Sequence, residues 1–301
     1  MRVGAVDLGT NSTRLLVADV EDGAVREVGR GLRITRLGEG VDTRRVLLPV
    51  AIARVRNVLS DYRRELERLG AVRMLAVATS AVRDAENGEA FLGEIEWSYG
   101  FVTQLLSGDE EAGLTYRGVA SGRTLDPGTM IVDIGGGSTE LIVRGQHTSL
   151  DVGCVRLTER FAEDADAAGS FVAELLPDWP VEAAIGVAGT VTSLAALDLG
   201  LVDYDPDRVH GHVLGAAAVD GQLVRLAALP LEERRRLPGL EPDRAPVIVA
   251  GAAILREIVR RYGLSSIEAS EHDLLHGVAL AAAELPEPEE GAVPPGAYTC
   301  C

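Results

Sequence analysis

The chain contains no lysine: all 29 basic residues are arginine, set against 46 acidic ones for a net charge of −17. Non-specific duplex binding depends on clustered positive charge releasing counterions, so this balance excludes nucleic acid as an expected partner. It excludes docking on an anionic membrane for the same reason. Cysteine is scarce too. Cys154, Cys300 and Cys301 cannot build a disulfide framework, and a reducing compartment is the simpler reading. Aromatics make up only 4%, so the core must come from Val, Leu, Ile and Ala, which 47% hydrophobic residues supply. Long apolar runs are missing. The longest uncharged stretch, 183–197, is shorter than the ~18 residues of a membrane span, and Asp7 interrupts the start where a secretory segment is apolar. The expected location is the cytoplasm.

A length of 301 residues suits two domains better than one. The charge is unevenly spread: residues 1–83 carry +5 and residues 84–301 carry −22. Counter-charge for an anionic ligand is therefore concentrated in the first quarter of the chain.

What organises the chain is an internal repeat. Val6-Asp7-Leu8-Gly9-Thr10-Asn11-Ser12-Thr13-Arg14-Leu15-Leu16-Val17 aligns without gaps to Val132-Asp133-Ile134-Gly135-Gly136-Gly137-Ser138-Thr139-Glu140-Leu141-Ile142-Val143, with seven of twelve positions identical. A separation of 126 residues is too wide for a solenoid and points to two related domains. Each copy reads as a buried strand, a glycine turn and a returning strand, with an Asp at the first strand's end. Ile52, Val55, Leu59, Tyr62, Leu66 and Leu69 keep helical spacing between Pro49 and Gly70. Strands are expected at 74–78, 101–106 and 267–269. Helices are expected near 110–119, 154–162, 168–176, 190–198, 217–228, 244–262 and 273–284. Such alternation means an α/β fold with a largely buried sheet.

Several segments could carry chemistry. Gly9, Thr10, Asn11 and Ser12 can turn backbone N–H groups and hydroxyls toward a phosphate, as can Gly135, Gly136, Gly137, Ser138 and Thr139. Asp7 and Asp133 would face the same anion, and a carboxylate is useful there only with a hard cation between, so Mg2+ is implied. The turn at Gly189 and Thr190 follows a strand and opens a helix, a third place where free N–H groups collect; its plain alternative is a βα loop with Thr190 as the cap. Arg33, Arg36 and Arg83 fall at expected strand ends, where a guanidinium can fork a phosphate. Arg54 and its neighbours on the 51–69 helix read as a solvated face. Asp109, Glu110 and Glu111 open a helix, where acids are common for dipole reasons alone. Glu140 follows Asp133 by seven residues, and the strand period puts the two on opposite sides unless the turn rotates them. His210 and His212 could share a metal, but read better as structural.

The motifs Ala5-Val6-Asp7-Leu8-Gly9-Thr10-Asn11-Ser12, Ala78-Thr79-Ser80-Ala81-Val82-Arg83-Asp84, Ser107-Gly108-Asp109-Glu110-Glu111-Ala112 and Asp133 to Glu140 occur in one order. Val209-His210-Gly211-His212 and Ala250-Gly251-Ala252-Ala253-Ile254-Leu255 follow them. Together they resemble the exopolyphosphatase/guanosine pentaphosphate phosphohydrolase (Ppx/GppA) family over about residues 3–280, in its short two-domain form. The resemblance implies an actin-like ATPase-domain fold: two ribonuclease-H-like domains with an interdomain cleft. Ser121-Gly122 and Pro127-Gly128 interrupt the pattern and set the boundary, giving 1–120 and 121–272. The Pro-, Glu- and Gly-rich end reads as a flexible tail from 286 to 301. The resemblance returns the helix at about 273–285 to the first domain. It implies hydrolysis of the terminal phosphate of inorganic polyphosphate, or of the 5′-phosphate of guanosine pentaphosphate. Carried over, Glu111 matches the base that activates water. Asp133 and Glu140 match carboxylates of the metal and water site, with Asp7 beside them and Mn2+ as the alternative to Mg2+. The family's arginine near the last helix is absent from Asp273-Leu274-Leu275-His276-Gly277.

The resemblance leaves open a homodimer and the role of Cys300 and Cys301. Three rival readings stand beside it. They are a kinase of the same fold, a guanosine tetra- or pentaphosphate sensor without turnover, and a filament-forming scaffold.

Overall fold

The computed structural model describes residues 1–286; nearly all of the expected tail, with Cys300 and Cys301, lies outside the described residues. Two compact units are present. One comprises Met1–Arg123 with the chain from Leu274 onward, and the other is Thr124–Asp273.

In the first unit β1 (Arg2–Leu8), β2 (Ser12–Glu21) and β3 (Ala24–Ile34) form an antiparallel meander. The one-turn helix α1 (Val41–Arg44), α2 (Pro49–Leu69) and β4 (Arg73–Ala78) follow. A second one-turn helix α3 (Ser80–Arg83), then α4 (Gly88–Tyr99), β5 (Val102–Leu105) and α5 (Gly108–Ala120), complete the run. The sheet order is β3-β2-β1-β4-β5, with β4 parallel to β1 and β5. Strand alternation divides the side chains between two cores. Val6, Leu8, Leu15, Val17, Ala76 and Ala78 pack with Leu59 of α2 and Ile95 of α4. Val3, Ala5, Leu16, Ala18, Leu75 and Val77 pack with Leu274, Val278 and Ala282. Proline at the first turn of α2 and Gly70 in the left-handed region (φ 74°) bound that helix where the sequence places its limits.

The second unit repeats the plan. It holds β6 (Thr129–Ile134), β7 (Thr139–Val143), β8 (Gln146–Leu150), α6 (Cys154–Phe161), α7 (Ala165–Leu175) and β9 (Ala183–Val187). Then come α8 (Ala188–Asp198), the one-turn α9 (Pro206–Val209), β10 (Val213–Gly215) and α10 (Ala216–Ala228). The one-turn α11 (Leu231–Arg234), a 3-10 turn at Pro242–Arg244, α12 (Ile248–Arg261) and β11 (Ser266–Ala269) finish it. The sheet order is β10-β11-β9-β6-β7-β8. Without the edge strand β10, this reproduces the first sheet strand for strand and direction for direction. The fold is thus α/β and ribonuclease-H-like twice over, and the twelve-residue repeat occupies the equivalent hairpins β1–β2 and β6–β7.

The last helix, α13 (Leu274–Glu284), belongs to the first unit. Gly277 permits its close approach to α5, because a Cβ there would lie 1.9 Å from the Leu114 carbonyl oxygen. Each hairpin proves to have a third strand, β3 or β8, that the sequence did not announce. Both are edge strands without a single buried residue, so neither carries an apolar alternation. No helix among the described residues is long and apolar enough to cross a membrane.

Candidate functional site

In the first unit, the turn between β1 and β2 is closed by the Gly9 N–H donating to Ser12 O at 3.0 Å. The segment after β3 covers its carbonyls from behind. The N–H groups of Thr35 and Arg36 donate to Asn11 O (3.0 and 2.9 Å), and that of Gly38 donates to Thr10 O (2.8 Å). With the carbonyls engaged there, the N–H groups of Thr10 and Asn11 donate to no protein acceptor among the described residues. Asn11 Nδ2, also buried, makes no hydrogen bond either. Thr10 Oγ1 shares a 2.9 Å hydrogen bond with Ser80 Oγ, which ties the turn to the start of α3. Buried donors without acceptors are costly, and consecutive N–H groups around a turn make an anion-binding nest.

The second unit builds its copy of this turn in the same way. Gly135 N–H donates to Ser138 O (3.0 Å), Cys154 N–H to Gly135 O (3.0 Å), and Val155 and Arg156 N–H to Gly136 O (2.9 and 3.1 Å). Arg156 Nε adds a bond to Gly137 O at 2.7 Å. The N–H groups of Gly136 and Gly137 donate to no protein acceptor among the described residues. Gly153 is required here, since a Cβ on it would come within 2.3 Å of the Gly136 backbone. The structure corrects one expectation: Thr139 is fully buried and its hydroxyl donates to Val152 O, so it braces the turn instead of facing a ligand. Thr13, its counterpart, likewise pairs with Thr35 at 2.9 Å.

The carboxylates sort differently in the two hairpins. Asp133 and Glu140 are direct partners across β6 and β7, so they share one face of the sheet. This corrects the expectation of opposite sides, because a hairpin reverses the chain and register, not sequence separation, fixes the face. Both are buried, and Glu140 Oε1 accepts from Ser149 Oγ at 2.7 Å. At the equivalent positions Asp7 faces Arg14, whose Nε and Nη2 lie 2.9 and 2.8 Å from Asp7 Oδ2. The second hairpin thus sets two buried carboxylates side by side where the first pairs a carboxylate with a guanidinium. Among the described residues no group of three or more His, Cys, Asp or Glu is arranged to hold a metal. Asp133 and Glu140 are the residues that could hold a cation here, with water or phosphate oxygens completing its shell.

A third donor group lies at the start of α8, whose first turn has no side-chain cap, with Ala188 held at φ 62°. Thr190 is not the cap. Its side chain is buried against Gly251, near Cys154, whose thiol burial pushes above its ordinary range. Against Gly189 lies the Arg244 guanidinium, so close that a Cβ on Gly189 would fall 1.8 Å from Arg244 Nη1. Arg244 is a candidate site residue to which no local sequence signal pointed; it comes from the 3-10 turn 55 positions further on.

The capping residue of α5 is Ser107, which with Glu110 forms a reciprocal capping box. Those bonds to Ser107 hold the Glu110 carboxyl below its ordinary range. One residue on, Glu111 rotates inward and is buried, 3.4 Å from Arg83 Nη1. Arg83 also donates to Leu106 O (2.7 Å) and sits at the end of α3, not in a loop. Arg33 likewise belongs to strand β3, exposed, donating to Leu32 O. The histidines have structural partners: His212 Nε2 lies 2.8 Å from Asp198, and His210 accepts from Glu271 N–H and stacks on His272.

Two ribonuclease-H-like units, each with an N–H-lined turn beside a buried acid, define a class of protein built to handle phosphate groups. The Ppx/GppA phosphatase family matches the chain over residues 16–285. Exopolyphosphatase 2 of Mycobacterium tuberculosis is 38% identical over 316 residues, covering 94% of this chain and 98% of that protein. The guanosine-5′-triphosphate,3′-diphosphate pyrophosphatase of Aeromonas salmonicida is 30% identical over 298 residues, covering 91% of this chain and 58% of that one. The crystal structure of the Aquifex aeolicus Ppx/GppA family member superposes with a TM-score of 0.78 at 31% identity, covering 95% and 99% of the two chains. The chain belongs to the Ppx/GppA phosphatase family.

Proposed function

We propose that the protein is an exopolyphosphatase, releasing orthophosphate from the end of inorganic polyphosphate by in-line attack of water. The observation that carries this reading is the matched pair of turns whose N–H groups at Thr10, Asn11, Gly136 and Gly137 have no protein acceptor among the described residues. A polyphosphate end offers oxygens for such donors, and preorganised N–H groups oppose the charge that develops as the P–O bond breaks. Glu111 takes the proton of the attacking water. Arg83, at 3.4 Å, orients that carboxylate. Arg244 and the first turn of α8 bind phosphoryl oxygens, the guanidinium contributing charge and the helix its free N–H groups. Asp133 and Glu140 are the residues that would hold Mg2+ or Mn2+, which when bound offsets phosphate charge as a Lewis acid. Asp7 acts through Arg14, fixing the end of β1 beside the first turn.

Similarity to Exopolyphosphatase 2 over almost the whole of that protein supports the polyphosphate reading. The Aeromonas relative supports a second reading, a guanosine pentaphosphate 5′-phosphohydrolase. A phosphate-release assay over polyphosphates of several lengths and guanosine pentaphosphate, with and without Mg2+, separates the two. Glu111→Gln is expected to lower kcat by about 10²- to 10⁴-fold, the scale of general base catalysis, while substrate still binds. Near-normal release by that variant would refute the role of Glu111.

A further inference from the structure

The segment that covers the first turn is itself held by a residue the sequence reads as solvated. Arg54, on α2, donates from Nε to Thr35 O (2.6 Å) and from Nη2 to Arg36 O (3.1 Å), with Nη2 also 2.9 Å from Glu39 Oε2. Thr35 and Arg36 are the two residues whose N–H groups converge on Asn11 O. The guanidinium thus holds the carbonyl of the Thr35–Arg36 peptide, whose N–H is one of the two donors on the turn, and the next carbonyl along. Arg36 sits at φ 50°, a left-handed conformation that a non-glycine residue keeps only when its surroundings enforce it. Gly38 seals the contact, since a Cβ there would meet Thr10 Cγ2 at 2.3 Å. The buried Asn11 Nδ2, a donor with no protein partner among the described residues, is the second sign that this turn awaits a ligand.

We infer that Arg54 is a positioning residue for the phosphate-binding turn at Gly9–Ser12. It clamps residues 35–39 over the turn's carbonyls, and the clamp aims the Thr10 and Asn11 donors at phosphate. This rests on the reading of that turn as a phosphate site. The second unit supports the logic, since Arg156 bonds to Gly137 O directly and braces its own turn. A guanidinium is needed because it spans two carbonyls and a carboxylate at once; an ammonium on a lysine concentrates its donors on one nitrogen.

The test compares wild type with Arg54→Ala and Arg54→Lys in three measurements: amide hydrogen exchange, binding of inorganic tripolyphosphate by calorimetry, and steady-state kinetics on polyphosphate. In Arg54→Ala the Thr35, Arg36 and Gly38 amides should exchange faster while those of Ile131, Val132 and Asp133 keep their protection. Tripolyphosphate affinity should fall and KM rise about tenfold, with kcat changed by less than about threefold, as expected for lost ground-state positioning. Arg54→Lys should recover part of the affinity. Loosened amides with unchanged affinity and KM, or full affinity with unchanged amides, would overturn the inference. Should wild type bind tripolyphosphate yet release no phosphate from any substrate, the hydrolase reading falls and the binding arm still decides Arg54. If wild type binds no tripolyphosphate, both fall.

Discussion

Gly189→Ala separates function from stability, because the two should move in opposite directions. The added Cβ would lie 1.8–2.3 Å from three atoms of the Arg244 guanidinium, so the two groups cannot both stay. What yields is the far end of a flexible side chain, not backbone, and the fold survives. Gly189 lies in the first turn of α8, where alanine is the better helix former by up to ~1 kcal/mol. The melting temperature should therefore hold or rise by up to roughly 2 °C for a protein of this size. Arg244, displaced, loses its charge-assisted contacts with phosphate, which are worth about 1.5–3 kcal/mol, or roughly ten- to a hundredfold in binding. Kinetics on polyphosphate should show KM raised on that scale. A cycle completes the test: Gly189→Ala added to Arg244→Gln should cost little more, since both remove one interaction. Wild-type KM in Gly189→Ala, with its melting temperature unchanged, would refute the placing of phosphate beside Arg244.

Two further outcomes concern stability. Glu110 is held below its ordinary carboxyl range by Ser107, so its contribution is present at neutral pH and disappears as pH falls through its folded value. The stability gap between wild type and Glu110→Gln in denaturant melts should be widest near pH 7 and close below about pH 4. Gly277→Ala drives a Cβ into the Leu114 carbonyl, a backbone obstacle, and should lower the denaturation midpoint by the equivalent of about 1–3 kcal/mol. An unchanged midpoint would mean that α13 does not approach α5 this closely.

Much of the fold was legible because its signals are local. The repeat, the spacing of Val55, Leu59, Tyr62 and Leu66, and the limits at Pro49 and Gly70 depend only on near neighbours. Strands β3 and β8 were not legible, since edge strands with mixed exposure obey no apolar alternation. Helix α4 escaped as well, as its buried Phe91, Leu92 and Ile95 are interrupted by glutamates and glycine. Within the site, the glycine turns and the acids were readable as residue types. Their partners were not. That Arg14 stands at the repeat position of Glu140 is visible in an alignment, but that each faces an aspartate follows only from strand register.

By itself, then, the sequence determined that this is an α/β protein of two related halves, each carrying a glycine turn after a buried aspartate. Those features rest on periodicity, backbone freedom and composition, which act over a few residues. Only the tertiary structure decided which polar groups are already engaged by protein partners. The Thr139 hydroxyl is engaged by Val152, Glu110 by Ser107 and Asp7 Oδ2 by Arg14, while Glu111 is turned inward. Arg244 and Arg54 reach their turns from distant segments. Hydrogen-bond partners are assigned by proximity in space, and proximity in space is what folding adds to the chain.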